Sequence, residues 1–412
     1  MPGAEPNLPP SPDIVVSGVG AVTPFGWGAP VLWESLRRGV AAIGSFGRFD
    51  ASRHRTQLAG EVPLDFAPSP PSRRASLADR FAVAAAREAI AAARLDLDAC
   101  RERTGVFFGS STGGMLESEW YYEVLIRRGS RRARPGLLAS QQLNGPGDAV
   151  ARDIGATGPV ETVSSACASG AMAVGAAFRA LRRGDADVAL AGGSDSLCQL
   201  TYAGFNALRA VAPGPSRPFR ADREGLTLGE GAGVLVLETG EHARRRGAVP
   251  IAGLAGEGSS CDAQHMTAPH SRGAGVEEAI RLALADAGVE PAEVDFVNAH
   301  GTGTPLNDAA EAAAIRAVFG DRAGSIPVTS TKALIGHLLG SAGAVEGVAT
   351  VLCLARAEVH PMPRGGEPDA ALGLDLVLGA PRPLGRAQCA VSTSLAFGGA
   401  NAALVFRRTE EA

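Results

Sequence analysis

The sequence predicts an α/β protein assembled from two similar halves. Strand-like segments rich in β-branched residues alternate with alanine-rich helical segments along the chain. The order of these segments over residues 13–250 recurs over residues 251–408. In both halves the strand-like segments run into loops of Gly, Ser and Thr, and loops at matching strand ends face one crevice.

The elements follow in order. Residues 1–12, within "MPGAEPNLPPSPD", are Pro-rich and are expected to form a disordered arm without the basic and apolar regions of a signal peptide. "DIVVSGVGAVTPFG" reads as an opening strand and turn, "ASLADRFAVAAAREAIAAARLDL" as a long helix, and "TGVFFGSSTGGM" as a strand ending in a small-residue loop. "ETVSSACASGAMAVGAAFRALRRG" reads as strand, turn and helix, with Arg179, Arg182 and Arg183 near the helix end and Gly184 as its stop. "ADVALAGGSDS" is a further strand and loop, "YAGFNALRAV" a helix, and "DREGLTLGEGAGVLVLE" a loop and strand. The second half matches piece by piece: "PIAGLAGEGSS", "GAGVEEAIRLALADAGV", "VDFVNAHGTGTP" and "IPVTSTKALIGHLLGSAGAVEGVATVLCLARAEV". "STSLAFGGANAALVF" closes it with a small-residue turn before a final strand.

Composition narrows the function classes. The chain has 412 residues, 45% of them hydrophobic, and a formal net charge of −4, which argues for neither a nucleic acid nor a membrane surface as partner. No apolar run is expected to approach the ~18–20 residues a spanning helix needs. The six cysteines are scattered without a CxxC pair, which points to a reducing cytoplasm; no zinc site is expected. Lys332 is the single lysine among 39 basic residues. A compact ammonium on a flexible stem does what arginine's planar fork cannot, so the environment of Lys332 is of interest.

Reactive side chains sit in the strand-end loops. Cys167 stands at or just before a helix start among small residues, where the helix dipole and free N–H groups favour a thiolate. A small core cysteine would look the same. His300 occupies the glycine loop "NAHGTGTP"; Lys332, His337 and Glu346 lie together in "STKALIGHLLGSAGAVE". The arginine-rich stretch 126–136 reads as a solvated loop or as a dock for an acidic partner.

"SSACASG", "NAHGTGTPLND", "STKALIGHLLGSAGAVE" and "LAFGGAN", in this order, closely resemble the β-ketoacyl-acyl-carrier-protein synthases, the elongating condensing enzymes of fatty-acid and polyketide assembly. The resemblance implies the thiolase fold, with duplicated α/β halves in a five-layer αβαβα arrangement. It also implies acyl transfer to Cys167, followed by decarboxylative condensation with a malonyl thioester. His300 and His337 would donate hydrogen bonds to the malonyl carbonyl oxygen, and Lys332, paired with Glu346, would supply fixed charge. The backbone N–H groups of Cys167 and Phe397 would form an oxyanion hole, and Thr302 and Thr304 would hydrogen-bond the pantetheine arm. Thr112 falls where fatty-acid members have an apolar residue at the pocket floor, which points to a specialised polyketide, aryl-polyene-like chain. Leu395 and Ala396, before Phe397 and Gly398, replace the phenylalanine and glycine usual in the gating turn, and alanine there narrows backbone freedom. The resemblance implies no metal or redox cofactor, because decarboxylation drives the C–C bond, and the phosphopantetheine is carried by an acyl carrier protein. Arg73, Arg74 and Arg209 are candidates for docking that acidic partner. The resemblance further implies a homodimer, or a heterodimer with a chain-length-factor homologue. A thiolase-like coenzyme A enzyme and a non-catalytic scaffold subunit are the alternatives from other classes.

Overall fold

The computed structural model describes residues 13–65, 72 and 74–409. The N-terminal arm and Arg73 therefore lie outside the described residues. The principal strands of the first half are β1 (Ile14–Thr23), β2 (Thr104–Gly109), β3 (Val160–Val163), β4 (Val188–Asp195) and β5 (Gly231–Thr239). Those of the second are β6 (Ala252–Cys261), β7 (Phe296–Asn298), β8 (Pro327–Thr329), β9 (Cys389–Leu395) and β10 (Ala400–Arg407). Their spatial order is β3-β2-β4-β5-β1 in one half and β8-β7-β9-β10-β6 in the other. In each half the first three strands of that order are parallel and the last two ladders antiparallel. The repeat read from the sequence is thus a repeat of topology. A short antiparallel ladder, Ile14–Val16 against Ala252–Leu254, joins the two sheets.

The framing helices are α1 (Leu77–Ala93), α2 (Met115–Arg128), α3 (Ser169–Arg182), α4 (Ala274–Ala287), α5 (Pro305–Phe319) and α6 (Ala342–Arg356). α1 covers β1 and β5 from outside, α4 covers β6 and β10, and α3 and α6 pack together between the sheets. The layers are therefore αβαβα. Being enclosed on both sides makes α3 and α6 apolar around almost their whole circumference. It also explains Leu339–Arg356, whose 18 residues reach a mean hydropathy of 1.3, enough in length and composition for a bilayer, yet 83% of them are buried in the protein. The expectation that no stretch approaches that length is corrected here; the helix is apolar because two sheets cover it.

Close approach of helix to sheet is built the same way in both halves. A Cβ on Gly18 or Gly20 would lie 2.2 or 2.0 Å from the carbonyl oxygens of Ala89 and Ala85 on α1. A Cβ on Gly256 or Gly258 would lie 2.5 or 2.2 Å from those of Ala283 and Ala279 on α4. The alternate glycines of "SGVGA" and "AGEGS" are thus contact points where the backbones of strand and helix nearly touch.

Candidate active site

The loops after β3, β7, β8 and β9 converge on one cleft of about 290 Å³. Cys167 lines it, two residues before the start of α3. The preceding Ala166 has φ 45°, a left-handed conformation strained for a residue with a Cβ, which turns the chain sharply at the cysteine. The Ala166 carbonyl accepts from Ser169 Oγ (2.6 Å) and Ser111 Oγ (2.9 Å), which hold that turn. The helix-start placement agrees with the sequence. Cys167 is only 7% exposed, and burial pushes its thiol up to about 12; the Lys332 charge and the Phe397 N–H pull the other way without prevailing. Burial therefore works against the thiolate expected from the helix start, although the neighbours of the sulfur in sequence are small.

The two histidines face this cleft with rings perpendicular, 5.2 Å apart at 89°. Lys332 Nζ lies 3.0 Å from His300 Nδ1, and an ammonium can only donate, so Nδ1 accepts and the proton resides on Nε2. His337 Nδ1 accepts from the Leu339 N–H at 3.2 Å, which places its proton on Nε2 as well. Burial, with the Lys332 charge, holds both imidazoles well below the ordinary histidine range, so both are neutral. His337 Nε2 is buried and without a hydrogen-bond partner. Lys332, 1% exposed, also donates to the Glu346 carboxylate on α6, and burial pushes that carboxyl up to about 7 against the pull of the ammonium. The lone lysine is thus shared between a histidine and an acid.

Thr302 and Thr304 line the cleft with their hydroxyls 2.9 Å apart. Leu395, Ala396 and Phe397 form another wall, and Phe397 stacks on Phe205, ring centres 5.5 Å apart. Phe205 carries no signal in the sequence reading beyond its helix. The left-handed positions of the turn are taken by Gly398 (φ 86°) and Gly399 (φ 81°), so Ala396 needs no such conformation. The exposed Gly398 donates its N–H to the Met266 carbonyl at 2.8 Å, tying the turn to a neighbouring loop. Arg209 is at the cleft, whereas the exposed Arg74 is not among its lining residues. Nor is Thr112. Its hydroxyl is committed elsewhere, at 3.0 Å from Asp195 Oδ1 and 3.2 Å from the Ser196 carbonyl.

Two buried carboxylates that hold the His300 loop escaped the sequence reading. Glu311 accepts from the His300 N–H (2.7 Å), the Gly301 N–H (2.8 Å) and Thr393 Oγ1 (2.6 Å). Asp308 accepts from the Gly303 and Phe219 N–H groups at 3.1 and 2.7 Å. Both project from the first turns of α5 back onto the His300 loop. The visible signal was an acid pair three apart in "DAAEAAA", one face of a helix start.

Residues 11–243 match the family model for the β-ketoacyl synthase N-terminal domain, and residues 251–364 the model for its C-terminal domain. The chain belongs to the β-ketoacyl synthase family. It is an acyltransferase that forms carbon–carbon bonds. Among the relatives of this β-ketoacyl synthase is 3-oxoacyl-[acyl-carrier-protein] synthase 2 of Staphylococcus aureus (strain N315), 38% identical over 408 residues, covering 96% of this chain and 98% of the relative. The ishigamide ketosynthase/chain length factor superimposes with a TM-score of 0.91 at 35% identity, covering 97% of this chain and 100% of that one. A type II polyketide-synthase ketosynthase, solved with its acyl-carrier protein and bound to the hexaketide, gives 0.90 at 31% identity, with 97% and 100% covered.

Proposed function

We propose that this synthase transfers an acyl chain from an acyl-carrier-protein thioester to Cys167 and condenses it with malonyl-acyl-carrier protein. The observation that carries this reading is the pair of neutral imidazoles whose Nδ1 atoms are both occupied, leaving two Nε2–H donors facing the cysteine cleft. In the first half-reaction the Cys167 sulfur attacks the thioester carbonyl, its proton leaves with the carrier thiol, and the carrier departs. The Phe397 N–H, already at the sulfur, is placed to meet the developing oxyanion. In the second, the malonyl carboxylate leaves as CO₂ and its electron pair passes to an enolate. The Nε2–H groups of His300 and His337 stabilise the enolate oxygen. The carbanion then attacks the acyl carbonyl, the C–S bond breaks, and one proton from solvent restores the Cys167 thiol. Lys332 locks the His300 tautomer and disfavours imidazolium. The arm that carries both substrates belongs to the carrier protein, with Thr302 and Thr304 at its path and Arg209 at the rim as a dock.

A partner subunit completes this reading. The sheet-edge strand β3 has Val160 45% exposed, and α2 exposes Trp120, Tyr122 and Ile126. Either a second copy or a chain-length-factor homologue would cover them, and the ketosynthase/chain length factor neighbour supports the latter. Thr112, its hydroxyl bonded to Asp195 and the Ser196 carbonyl, belongs to this proposal as the floor of the acyl pocket, and so does a cytoplasmic location. The test is reconstitution with acyl- and malonyl-acyl-carrier protein, following β-ketoacyl product by mass. Product from wild type and none from Cys167→Ala supports the assignment. Equal product from both refutes it.

A further inference from the structure

Asp195, at the end of β4, is fully buried, and no ion pair is formed by it among the described residues. Its carboxylate is satisfied by donors from two distant loops. Oδ1 accepts from Ser110 Oγ (2.7 Å), the Thr112 N–H (2.8 Å) and Thr112 Oγ1 (3.0 Å), with the Ser111 and Gly113 N–H groups at 3.0 and 3.3 Å. Oδ2 accepts from the Gly340 N–H at 2.6 Å and shares the Ser111 N–H at 3.0 Å. Each loop leads to one reactive group. Ser111 Oγ donates to the carbonyl of Ala166, the strained residue immediately before Cys167. Gly340 lies in the turn whose Leu339 N–H fixes the His337 tautomer, and Leu339 itself has φ 55°.

We infer that Asp195 is a positioning residue that fixes the His337 turn relative to the Cys167 turn, with Oδ1 serving the 110–113 loop alone and Oδ2 carrying the link to Gly340. It touches no substrate. This rests on the condensation chemistry proposed above, and it predicts that the two half-reactions are separable by mutation. The two oxygens are not equivalent, since Oδ1 has five donors and Oδ2 two. In Asp195→Asn the amide oxygen stays on the crowded side and keeps the Ser111 N–H, while the NH₂ opposes the Gly340 N–H, donor against donor. Ser111→Ala, by contrast, deletes the strut to Ala166 and leaves the Gly340 link intact. A displacement of about 1 Å at a reacting group costs on the order of 10²-fold in rate.

Asp195→Asn and Ser111→Ala are therefore to be compared with wild type in two assays: acylation of Cys167 by acyl-acyl-carrier protein, and CO₂ release from malonyl-acyl-carrier protein by acylated enzyme. The expected result is that Asp195→Asn lowers the second rate by about ten- to a hundredfold and changes acylation by less than about threefold. Ser111→Ala shows the opposite bias. A second readout is the pH dependence of Cys167 alkylation. The Asp195 charge raises the thiol, so its removal moves that profile to lower pH. Equal losses in both half-reactions, with an unmoved alkylation profile, would make Asp195 a purely structural residue and overturn the inference. If Asp195→Asn does not fold, Ser111→Ala decides: its loss must fall on acylation, and an unselective loss refutes the coupling. Inactivity of wild type in both assays would instead overturn the proposed function.

Discussion

Lys332→Arg conserves charge in a protein that otherwise uses arginine throughout, and it is expected to abolish most condensation. Lys332 is 1% exposed, with Nζ at 3.0 Å from His300 Nδ1 and bonded to Glu346. A guanidinium is longer and planar, and the site leaves it no solvent into which to turn. Two costs follow. Overpacking of an enclosed position costs about 1–3 kcal/mol of stability. Displacing the donor that sets the His300 tautomer removes one of two Nε2–H groups from the enolate oxygen, and loss of one such donor typically costs about 2.7–4 kcal/mol, or 10²–10³ in rate. The assay is single-turnover condensation on enzyme already acylated at Cys167, with acylation measured separately. Condensation should fall by about 10²–10³ while acylation changes little. If the arginine variant folds and keeps more than half of the wild-type condensation rate, neither the compact ammonium nor the tautomer lock is needed.

Other consequences concern pH, packing and the thiol. Both imidazoles are held neutral well below 6.5, so the acid limb of malonyl decarboxylation should lie below that pH. Lys332→Met removes a cation that opposes imidazolium and should move the limb upward; a wild-type limb at or above 6.5 contradicts the assignment. Alkylation of free enzyme by iodoacetamide at Cys167 should climb across pH 7 to 10 without a plateau, because burial pushes the thiol to about 12; saturation near neutrality would restore the thiolate expected from the helix start. Gly20→Ala and Gly258→Ala each drive a methyl toward a helix carbonyl, at 2.0 and 2.2 Å, and should each cost about 1–3 kcal/mol in urea unfolding. Loss from one and not the other would break the equivalence of the halves.

The legible part of this fold was its order. The strand and helix segments and their repetition are local patterns, and local sequence carries them. The loops bearing Cys167, His300, Lys332 and His337 were legible for the same reason, since each places a reactive residue at a strand end. What was not legible depends on contacts between distant segments. Cys167 is flanked by small residues, yet its sulfur is buried, because the Phe397 turn comes from more than two hundred positions away. Asp195 looked like one polar residue at the end of an apolar strand, and only the folded chain brings Gly340 N–H to one oxygen and the 110–113 loop to the other. Thr112 was read by its chemical type as a pocket residue, and only the folded chain shows that the same carboxylate holds its hydroxyl. Polar residues in this protein take their meaning from their partners, and the partners are remote in sequence.

The central claim is that Cys167 carries the acyl chain. The most direct measurement is intact-mass analysis, with peptide mapping, of wild type and Cys167→Ala after incubation with short, long and polyenoyl acyl-acyl-carrier proteins. A single acyl adduct on wild type, mapped to Cys167 and absent from the variant, is the predicted result. An adduct on another residue, or one that persists in Cys167→Ala, would contradict the account.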